Sequence, residues 1–305
     1  MSESILIVGH GYFGGHLSKL VSRDTFRIFA TTRNPAKVKD LESAGLNAIQ
    51  FDVLNQSATP IEESFDNIVY CVGYDRRQNA SRHDVYVGGL QNFLSKLSCP
   101  PKRFIYISST GVYGQSDGQW VNEKSETVPT REGGQACLAA ENLLEKVSTG
   151  DQWNREKQID SKPTRTTVMR LAGIYGPDRI PNRAKLEQGS LSMNANGYLN
   201  LIHVSDAARI CQLFIEADLT QSDSAAPLYS VFNVSDGNPA TRGEFYSCLA
   251  SKLGVEPPAL EGKSESSPSR QDGSKRVENR KLIQETGYEF RFPSYESGLA
   301  HILQS

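Results

Sequence analysis

Residues 5 to 14 combine the residue types and the spacing that bind a phosphate through the backbone. The apolar run Ile5-Leu-Ile-Val8 predicts a short buried strand, and Gly9-His-Gly-Tyr-Phe-Gly14 follows it without a gap. An amphipathic run over His16–Val21 predicts that a helix comes next. A strand, a glycine-rich turn and a helix start, in that order, place free N–H groups at the positive end of the helix, where a phosphate binds.

The three glycines of this turn have different tasks in a dinucleotide fold. Gly9 makes the tight turn, Gly11 lets the backbone approach the pyrophosphate, and Gly14 allows close packing of the helix on the strand. Tyr12 and Phe13 lie between them in the same turn. The spacing therefore predicts a bound dinucleotide in contact with this segment.

The end of the second predicted strand bears on the choice of cofactor. An acidic residue there binds the ribose hydroxyls of NAD, whereas an arginine suits the extra phosphate of NADP. Arg33 directly follows the strand Arg27–Thr32, and no Asp or Glu occurs before Asp40. Arg33 can hold a phosphate as a bidentate donor. NADP is therefore predicted over NAD, and the alternative for Arg33 is a solvated surface side chain.

Apolar strands alternate with helical patterns through the first half of the chain. This alternation predicts an α/β fold with a doubly wound, parallel Rossmann sheet. Further strands are predicted over Asn47–Phe51, Asn67–Val72, Arg103–Ser108 and Thr166–Leu171. Further helices are predicted over Ala36–Ala44, Ser81–Leu97 and Gly134–Val147, followed by a polar loop over Ser148–Lys162.

The alternation stops after residue 172. Gly173–Gly197 is predicted to be irregular, and Tyr198–His203 to be extended. Helices are predicted over Ala207–Ala217 (capped by Ser205-Asp206), Arg242–Leu253 and Ser294–Leu303, with a strand over Tyr229–Val234 and a mobile polar loop over Pro257–Gly273. We therefore expect a dinucleotide-binding domain over residues 1–172 with 198–235 returning to it. Residues 173–197 and 236–305 would form a small α+β substrate-binding domain.

The composition is that of an ordinary soluble protein and excludes several classes of function. The 305 residues include 33 basic and 35 acidic side chains, a net charge of −2, which argues against a nucleic-acid or membrane partner. No apolar run approaches the roughly 20 residues that span a bilayer, and the N-terminus lacks the features of a signal peptide. The five cysteines have no metal-ligand spacing, so neither a disulfide nor a metal site is expected, and the location is predicted to be cytoplasmic.

Five segments together resemble the extended short-chain dehydrogenase/reductases, the NAD-dependent epimerase/dehydratase group. They cover most of the chain and are Gly9–Gly14, Asp52-Val53, Tyr106–Gly114, Arg170–Pro177 and Leu201–Asp206. The resemblance implies a nicotinamide cofactor, contacted also by Asp52, Val53, Val72, Gly73 and Ser108. It further implies that the hydroxyl of Ser109 orients a substrate carbonyl or alcohol. The alternative for both serines is strand-end hydrogen bonding to the backbone.

The resemblance fails at the family's proton-handling pair, Tyr-x-x-x-Lys. One helical turn brings these two side chains onto one face, and the lysine depresses the pKa of the tyrosine, so that the phenolate can move a proton. Counting back from Glu141 places Gly133 at the tyrosine position and Cys137 at the lysine position. No tyrosine lies between Tyr113 and Tyr175, so a shift of register does not restore the pair. The chain therefore looks like an atypical extended member of the group.

Other side chains are candidates for the missing chemistry. Tyr113 is the first phenol after Ser109 in the sequence and is a candidate acid, with aromatic packing as the alternative. The candidate substrate contacts are Tyr74, Arg170, His203 and Arg276. Their alternatives are a solvated turn for the tyrosine, a core position for the histidine and ion pairs within the fold for the arginines. Cys137 is interpreted as helix packing, because nothing near it in the sequence would lower its pKa.

Two functions remain open at this point. The first is an NADP(H)-dependent oxidoreductase or epimerase/dehydratase-like enzyme that acts on a small carbonyl, alcohol or sugar-nucleotide substrate. The second is an NADP(H)-binding sensor or interaction protein without catalysis, which the loss of both proton-handling residues favours. The resemblance also implies a homodimer formed through the two long helices, Ser81–Leu97 and Gly134–Val147.

Overall fold

The computed structural model of the chain describes residues 2–149, 163–217, 227–260 and 274–304. The strands are β1 Glu3–Val8, β2 Phe26–Thr32, β3 Asn47–Gln50, β4 Asn67–Tyr70, β5 Arg103–Ser109, β6 Trp120–Val121, β7 Arg165–Leu171, β8 Gly173–Tyr175, β9 Ser192–Met193, β10 Tyr198–Leu199, β11 Leu201–His203, β12 Tyr229–Val234, β13 Ala240–Thr241, β14 Ala259–Leu260 and β15 Arg276–Val277. The α-helices are α1 Tyr12–Leu20, α2 Val38–Ser43, α3 Gly89–Lys96, α4 Glu132–Thr149, α5 Arg183–Glu187, α6 Val204–Glu216, α7 Arg242–Leu253, α8 Arg280–Thr286 and α9 Tyr295–Gln304.

The central sheet has seven strands in the order β12-β7-β5-β4-β1-β2-β3. β1 pairs in parallel with β2 on one side and with β4 on the other. From this centre the chain builds the sheet outward in one direction through β2 and β3, and in the other through β4, β5 and β7. The crevice between the carboxyl ends of β1 and β4 is therefore the topological switch point, where open α/β sheets bind ligands. The predicted fold class, a doubly wound Rossmann sheet, is confirmed.

The apolar run of β1 explains its central place. Ile5, Leu6, Ile7 and Val8 are all fully buried. A strand in the middle of a parallel sheet is covered by helices on both faces, so a continuous apolar run suits it better than an alternating pattern.

The chain divides into two compact units. The first unit comprises Met1–Val112, Pro129–Arg170 and Ala208–Val231, and the second comprises Tyr113–Val128, Leu171–Ala207 and Phe232–Ser305. The second unit has its own apolar core, to which Tyr175, Leu201 and Phe245 belong. The domain bounds expected from the sequence stay a prediction. The two units differ from them mainly by placing Tyr113–Val128, residues 198–207 and residues 232–235 in the second unit.

The first of the two long helices predicted from the sequence contains a break. A π-helical turn over Asp84–Gly88 precedes α3, so the helix predicted over Ser81–Leu97 is not one regular α-helix. Helix α3 begins against the sheet, because a Cβ atom on Gly89 would stand 3.4 Å from the hydroxyl of Tyr70 in β4 and 2.9 Å from the side chain of Val53, which follows β3. Single π turns inside helices are frequent at functional sites.

Two expectations about the later part of the chain were wrong. Gly173–Gly197, predicted to be irregular, contains β8, α5 and β9. Helix α6 begins at Val204, so Asp206 lies inside its first turn and does not cap it. The carboxylate of Asp206 accepts hydrogen bonds from the Tyr288 hydroxyl at 2.6 Å and from the backbone N–H groups of Arg291 and Phe292 at 2.9 and 3.0 Å. It therefore fixes a distant segment, which no local pattern indicates.

The polar loops predicted over 148–162 and 257–273 lie for the most part outside the described residues. Within the described ranges, none of the helices has the length and apolar character needed to cross a bilayer.

Candidate cofactor and active site

The glycine-rich turn has the backbone geometry that its spacing predicts. Gly9 has a φ of +96°, and a Cβ atom there would lie 3.0 Å from backbone atoms of Cys71 and Val72. A Cβ atom on Gly14 would lie 2.5 Å from the carbonyl oxygen of Gly9. The turn therefore packs directly on the chain that leaves β4, and no side chain fits at either position.

The side of this turn that faces outward is open. A Cβ atom on Gly11 or on Gly73 would meet no atom within 4 Å. Gly11 is the N-cap of α1, and no side chain caps that helix end. Free N–H groups at a helix N-terminus beside backbone without side chains form a cradle for a diphosphate. The residues of this crevice therefore fit a dinucleotide.

The end of β2 holds the turn in place. The Gly9 N–H donates to the hydroxyl of Thr31 at 3.0 Å, and the His10 N–H donates to the Thr31 carbonyl at 3.4 Å. Thr31 is buried. Sequence reasoning did not single it out, because a threonine at a strand end has no distinctive signal.

Arg33 lies after β2 and makes contacts that the sequence did not predict. Its Nη2 atom lies 2.7 Å from the Asp75 carboxylate, and its Nη1 atom donates to the side chain of Gln78. Asp75 also pairs with Arg77 at 3.1 Å. These hydrogen bonds, first those of Arg77 and then that of Arg33, lower the pKa of Asp75 to about 2. Because β1 lies between β2 and β4, the Arg33–Asp75 pair links the two strand ends on either side of the glycine-rich turn.

Two of the predicted cofactor contacts lie after β3. One carboxylate oxygen of Asp52 accepts a hydrogen bond from the Leu54 N–H at 3.0 Å, which forms a local turn. Val53 is buried, and its carbonyl accepts a hydrogen bond from the side chain of Asn92 at 2.9 Å. Val72 is half-buried at the end of β4. The cofactor contacts of Asp52, Val53 and Val72 stay predictions.

Ser108 belongs to a buried polar cluster. Its hydroxyl donates to the Glu141 carboxylate at 2.5 Å. The same carboxylate is paired with Arg170, whose Nη2 and Nε atoms lie 2.7 and 3.1 Å from it. The side chains of Arg170 and Glu141 are only 7% and 2% exposed. Arg170 thus makes the ion pair within the fold that was the alternative to its predicted contact with substrate.

Ser109 lies at the end of β5 and is half-buried. Its Oγ atom accepts a hydrogen bond from the Gly111 N–H at 3.0 Å. Oγ can still donate its own proton, which keeps the predicted role in orienting a substrate oxygen possible. That role stays a prediction.

The positions of the missing tyrosine and lysine have been filled in different ways. Burial and the negative charge of Glu141 raise the pKa of the Cys137 thiol to about 12, opposed by a hydrogen bond with Ser108 and by the positive charge of Arg82. Cys137 is therefore neutral and packs in α4, as the sequence predicts. At the tyrosine position, a Cβ atom on Gly133 would lie 3.3 Å from the Cδ atom of Arg82. The guanidinium of Arg82 stacks over the ring of Tyr74 at 4.5 Å.

Three of the predicted site residues lie in the second unit. Tyr113 is buried, and its hydroxyl donates to the side chain of Asn233 at 2.8 Å. His203 is buried between the rings of Tyr175 and Phe292, which is the core position that was its alternative. Arg276 stacks over Trp120, with its Nε atom donating to the Gly118 carbonyl at 2.7 Å. The assigned roles of the three stay predictions.

Known proteins resemble this chain over almost its whole length. "Protein YeeZ" of Escherichia coli (strain K12) is 23% identical over 295 residues, which are 95% of this chain and 97% of that protein. Human epimerase family protein SDR39U1, solved with NADPH, has a TM-score of 0.69 at 19% identity and covers 99% of both chains. The UDP-glucose 4-epimerase of Bifidobacterium longum, solved with NAD+ and UDP, has a TM-score of 0.72 at 17% identity, with 98% of this chain and 97% of that chain covered.

The family model described as "NAD dependent epimerase/dehydratase family" matches residues 5–226. The match begins in β1 and includes the glycine-rich turn, Ser109 and the whole of α4. The chain therefore belongs to the NAD-dependent epimerase/dehydratase family.

Proposed function

We propose that the protein binds NADP(H) in the crevice between β1 and β4 and uses it to transform a small carbonyl or alcohol substrate, as an oxidoreductase or an epimerase/dehydratase-like enzyme. The observation that carries the proposal is the open cradle at Gly11 and Gly73, beside a glycine turn that excludes side chains. Its place at the switch point of the sheet is where dinucleotides bind in this architecture.

The preference for NADP is supported by Arg33. Its guanidinium stands beyond the end of β2, and its side chain is 47% exposed. The contacts with Asp75 and Gln78 hold it on the same edge of the sheet as the cradle. A phosphate can compete for the guanidinium, because an exposed ion pair contributes little free energy.

The bound cofactor would supply or accept a hydride at the substrate carbon. Ser109 would donate a hydrogen bond to the substrate oxygen from the end of β5, the strand next to β4. Cys137 cannot supply the charge that a lysine would, since burial keeps its thiol neutral. The proton that balances the hydride must therefore come from another group or water when the substrate is reduced, and go to one when it is oxidised.

The substrate class is supported by the relatives and by the family's description. The neighbour from Bifidobacterium longum is a UDP-glucose 4-epimerase, so a sugar nucleotide belongs in the first panel of substrates. Simple aldehydes and ketones belong there as well.

The test has two stages. Calorimetric titration with NADPH and NADH measures cofactor binding. The loss of NADPH absorbance then measures reduction of the panel compounds, and product analysis by NMR detects epimerisation or dehydration, which consumes no net cofactor. We expect tighter binding of NADPH than of NADH. Ser109→Ala should lower kcat/KM by about 100-fold or more without changing the cofactor Kd.

The outcomes separate the two candidate functions. Failure to bind either nucleotide would contradict both. Tight binding of NADPH with no turnover of any compound would favour a sensor or interaction protein, which the absence of a tyrosine and a lysine at Gly133 and Cys137 supports.

A further inference from the structure

The first turn of α4 lies against backbone at Gly134 and against the side chain of Arg82 at Gly133. A Cβ atom on Gly134 would lie only 2.1 Å from the carbonyl oxygen of Gly111, so this turn packs backbone against backbone. A Cβ atom on Gly133 would lie 3.3 Å from Cδ and 3.5 Å from Nε of Arg82. The side chain of Arg82 therefore occupies the space where a side chain at residue 133 would stand.

Arg82 is held there by two contacts of different kinds. Its Nη1 atom lies 2.8 Å from the Glu132 carboxylate, which also accepts a hydrogen bond from its backbone N–H at 3.2 Å. The guanidinium stacks over the ring of Tyr74 at 4.5 Å. Only 30% of the side chain is exposed. A cation fixed on an aromatic face and by one carboxylate loses little conformational freedom when it binds a further group.

The guanidinium keeps donors for a ligand. Nη1 donates to Glu132, whereas neither Nε nor Nη2 of Arg82 donates a hydrogen bond to any described residue. A guanidinium presents its donors in a planar fork that matches the two oxygens of a carboxylate or a phosphate. Arg82 can therefore bind an oxyanion through Nε and Nη2 while Nη1 stays bound to Glu132.

The hydroxyl of Ser109 borders the same turn of α4. A Cβ atom built on Gly111 would lie 3.2 Å from Ser109 Oγ and 3.8 Å from the Cα atom of Gly134. Gly133, which the Arg82 side chain contacts, directly precedes Gly134 in the chain. The half-buried Tyr86 completes the surroundings: burial and the neighbouring Cys137 raise the pKa of its phenol, so it stays protonated at neutral pH.

We propose that Arg82 and Ser109 form an oxyanion subsite, in which the Arg82 guanidinium binds a carboxylate or phosphate group of the substrate whose oxygen Ser109 orients. This rests on the proposed function, because it names the substrate class of the same site. The protein would accordingly act on an acidic carbonyl or alcohol compound and discriminate against neutral analogues.

The test measures oxyanion binding to the protein without any nucleotide. The probes are oxamate and inorganic phosphate, with oxamide as the neutral match to oxamate. Binding is followed by calorimetry and by the ¹H–¹⁵N signal of the arginine Nε groups. We expect oxamate or phosphate to shift the Arg82 signal, oxamide to leave it in place, and Arg82→Met to weaken binding by about 10-fold or more.

The controls keep charge and folding apart from the site. Arg76→Met removes the same charge at an exposed position six residues earlier in the chain and should leave binding unchanged. Arg82→Lys keeps the charge but not the fork and should lie between Arg82→Met and the unmodified protein. Ser109→Ala should weaken the binding of oxamate as well.

The proposal is overturned if neither probe shifts the Arg82 signal, or if Arg76→Met loses as much affinity as Arg82→Met. A separate titration with NADPH tests the proposed function. Oxyanion binding that depends on Arg82 without any binding of nucleotide would sustain this subsite and contradict the cofactor proposal. Nucleotide binding without oxyanion binding would sustain the cofactor proposal and contradict this subsite.

Discussion

The ion pair between Arg33 and Asp75 places a negative charge where the proposed cofactor needs a positive one. The two side chains approach to 2.7 Å, and they are 47% and 25% exposed. Exposed pairs of this kind contribute little to the stability of a fold. The pair therefore matters less for stability than for cofactor binding, because Asp75 competes with the extra phosphate of NADP for Arg33.

Asp75→Asn should raise the affinity for NADPH by about two- to fivefold. The change removes the carboxylate that competes with the extra phosphate for Arg33. The affinity for NADH, which lacks that phosphate, should change much less. Parallel titrations with both nucleotides check this, and Arg33→Glu is the opposing control, which should weaken NADPH selectively. An equal gain for both nucleotides would count against the clamp at Arg33.

Arg170 and Glu141 form a second pair whose energetics are different, because both side chains are buried. Arg170→Met should lower the free energy of unfolding by about 3–5 kcal/mol, since it leaves the Glu141 carboxylate buried without its partner. The double variant Arg170→Met/Glu141→Leu should recover much of that loss. Urea unfolding of both variants measures it. A single variant as stable as the unmodified protein would show that the pair is not buried in solution.

The residues that sequence reasoning placed correctly are those whose task depends on local backbone. Gly9 and Gly14 have the turn and the close packing that their spacing predicts. Arg82 was missed, because its partner Glu132 lies 50 residues away and neither residue belongs to a motif. The partners of Arg33 and Ser108 escaped for the same reason, since single side chains carry no signal for contacts distant in sequence.

At the scale of elements, the start of α4 is constrained by backbone packing. Gly134→Ala should lower the free energy of unfolding by about 2–3 kcal/mol, because its Cβ atom would meet the Gly111 carbonyl oxygen at 2.1 Å. Gly133→Ala is the matched control. Its Cβ atom would meet only the flexible side chain of Arg82, and alanine favours a helix, so stability should change by less than about 1 kcal/mol.

Thermal and urea unfolding of these two glycine variants distinguish packing from helix propensity. Equal effects of the two substitutions would mean that the close approach between α4 and the Thr110–Val112 turn does not persist in solution.

Helix bounds were predictable where the signals are local. The predicted helix Arg242–Leu253 has the same bounds in α7, because Thr241 and Glu244 form a capping box and Gly254 ends the helix in the left-handed conformation. The start of α6 was missed by three residues, since Ser205-Asp206 imitates a cap. The carboxylate of Asp206 instead accepts hydrogen bonds from the Tyr288 hydroxyl and from the backbone of Arg291 and Phe292.

At the scale of the whole molecule, the alternation of strands and helices was enough to predict the sheet. It could not predict the second unit in detail, because β8, β11 and β15 are two- or three-residue strands with no periodicity to detect. The homodimer predicted through the two long helices, Ser81–Leu97 and Gly134–Val147, stays a prediction. Within the described ranges, the large apolar side chains that are exposed are Trp120, Val128, Leu213 and Ile283, and none of them lies on α3 or α4.

The stability of the second unit should depend on pH through Asp236. This residue is 8% exposed, and its Oδ2 atom has no hydrogen-bond partner among the described residues. Burial raises its pKa from 3.8 to about 8, opposed by a hydrogen bond from the Asn238 backbone and supported by the negative charge of Glu296. The folded protein therefore keeps a proton on Asp236 that the unfolded chain releases at much lower pH.

Because the folded state binds more protons over this range, the contribution of Asp236 to stability is complete below about pH 4 and is lost as the pH rises to about 8. Asp236→Asn mimics the protonated carboxyl and keeps the oxygen that accepts from Asn238. It should match the unmodified protein near pH 4 and exceed its free energy of unfolding by on the order of 5 kcal/mol near pH 8. Urea unfolding at several pH values measures this, with the exposed Glu289→Gln as control. If the difference between Asp236→Asn and the unmodified protein does not grow with pH, the carboxyl is ionised in the folded state, and the polar groups around it must then rearrange to solvate the charge.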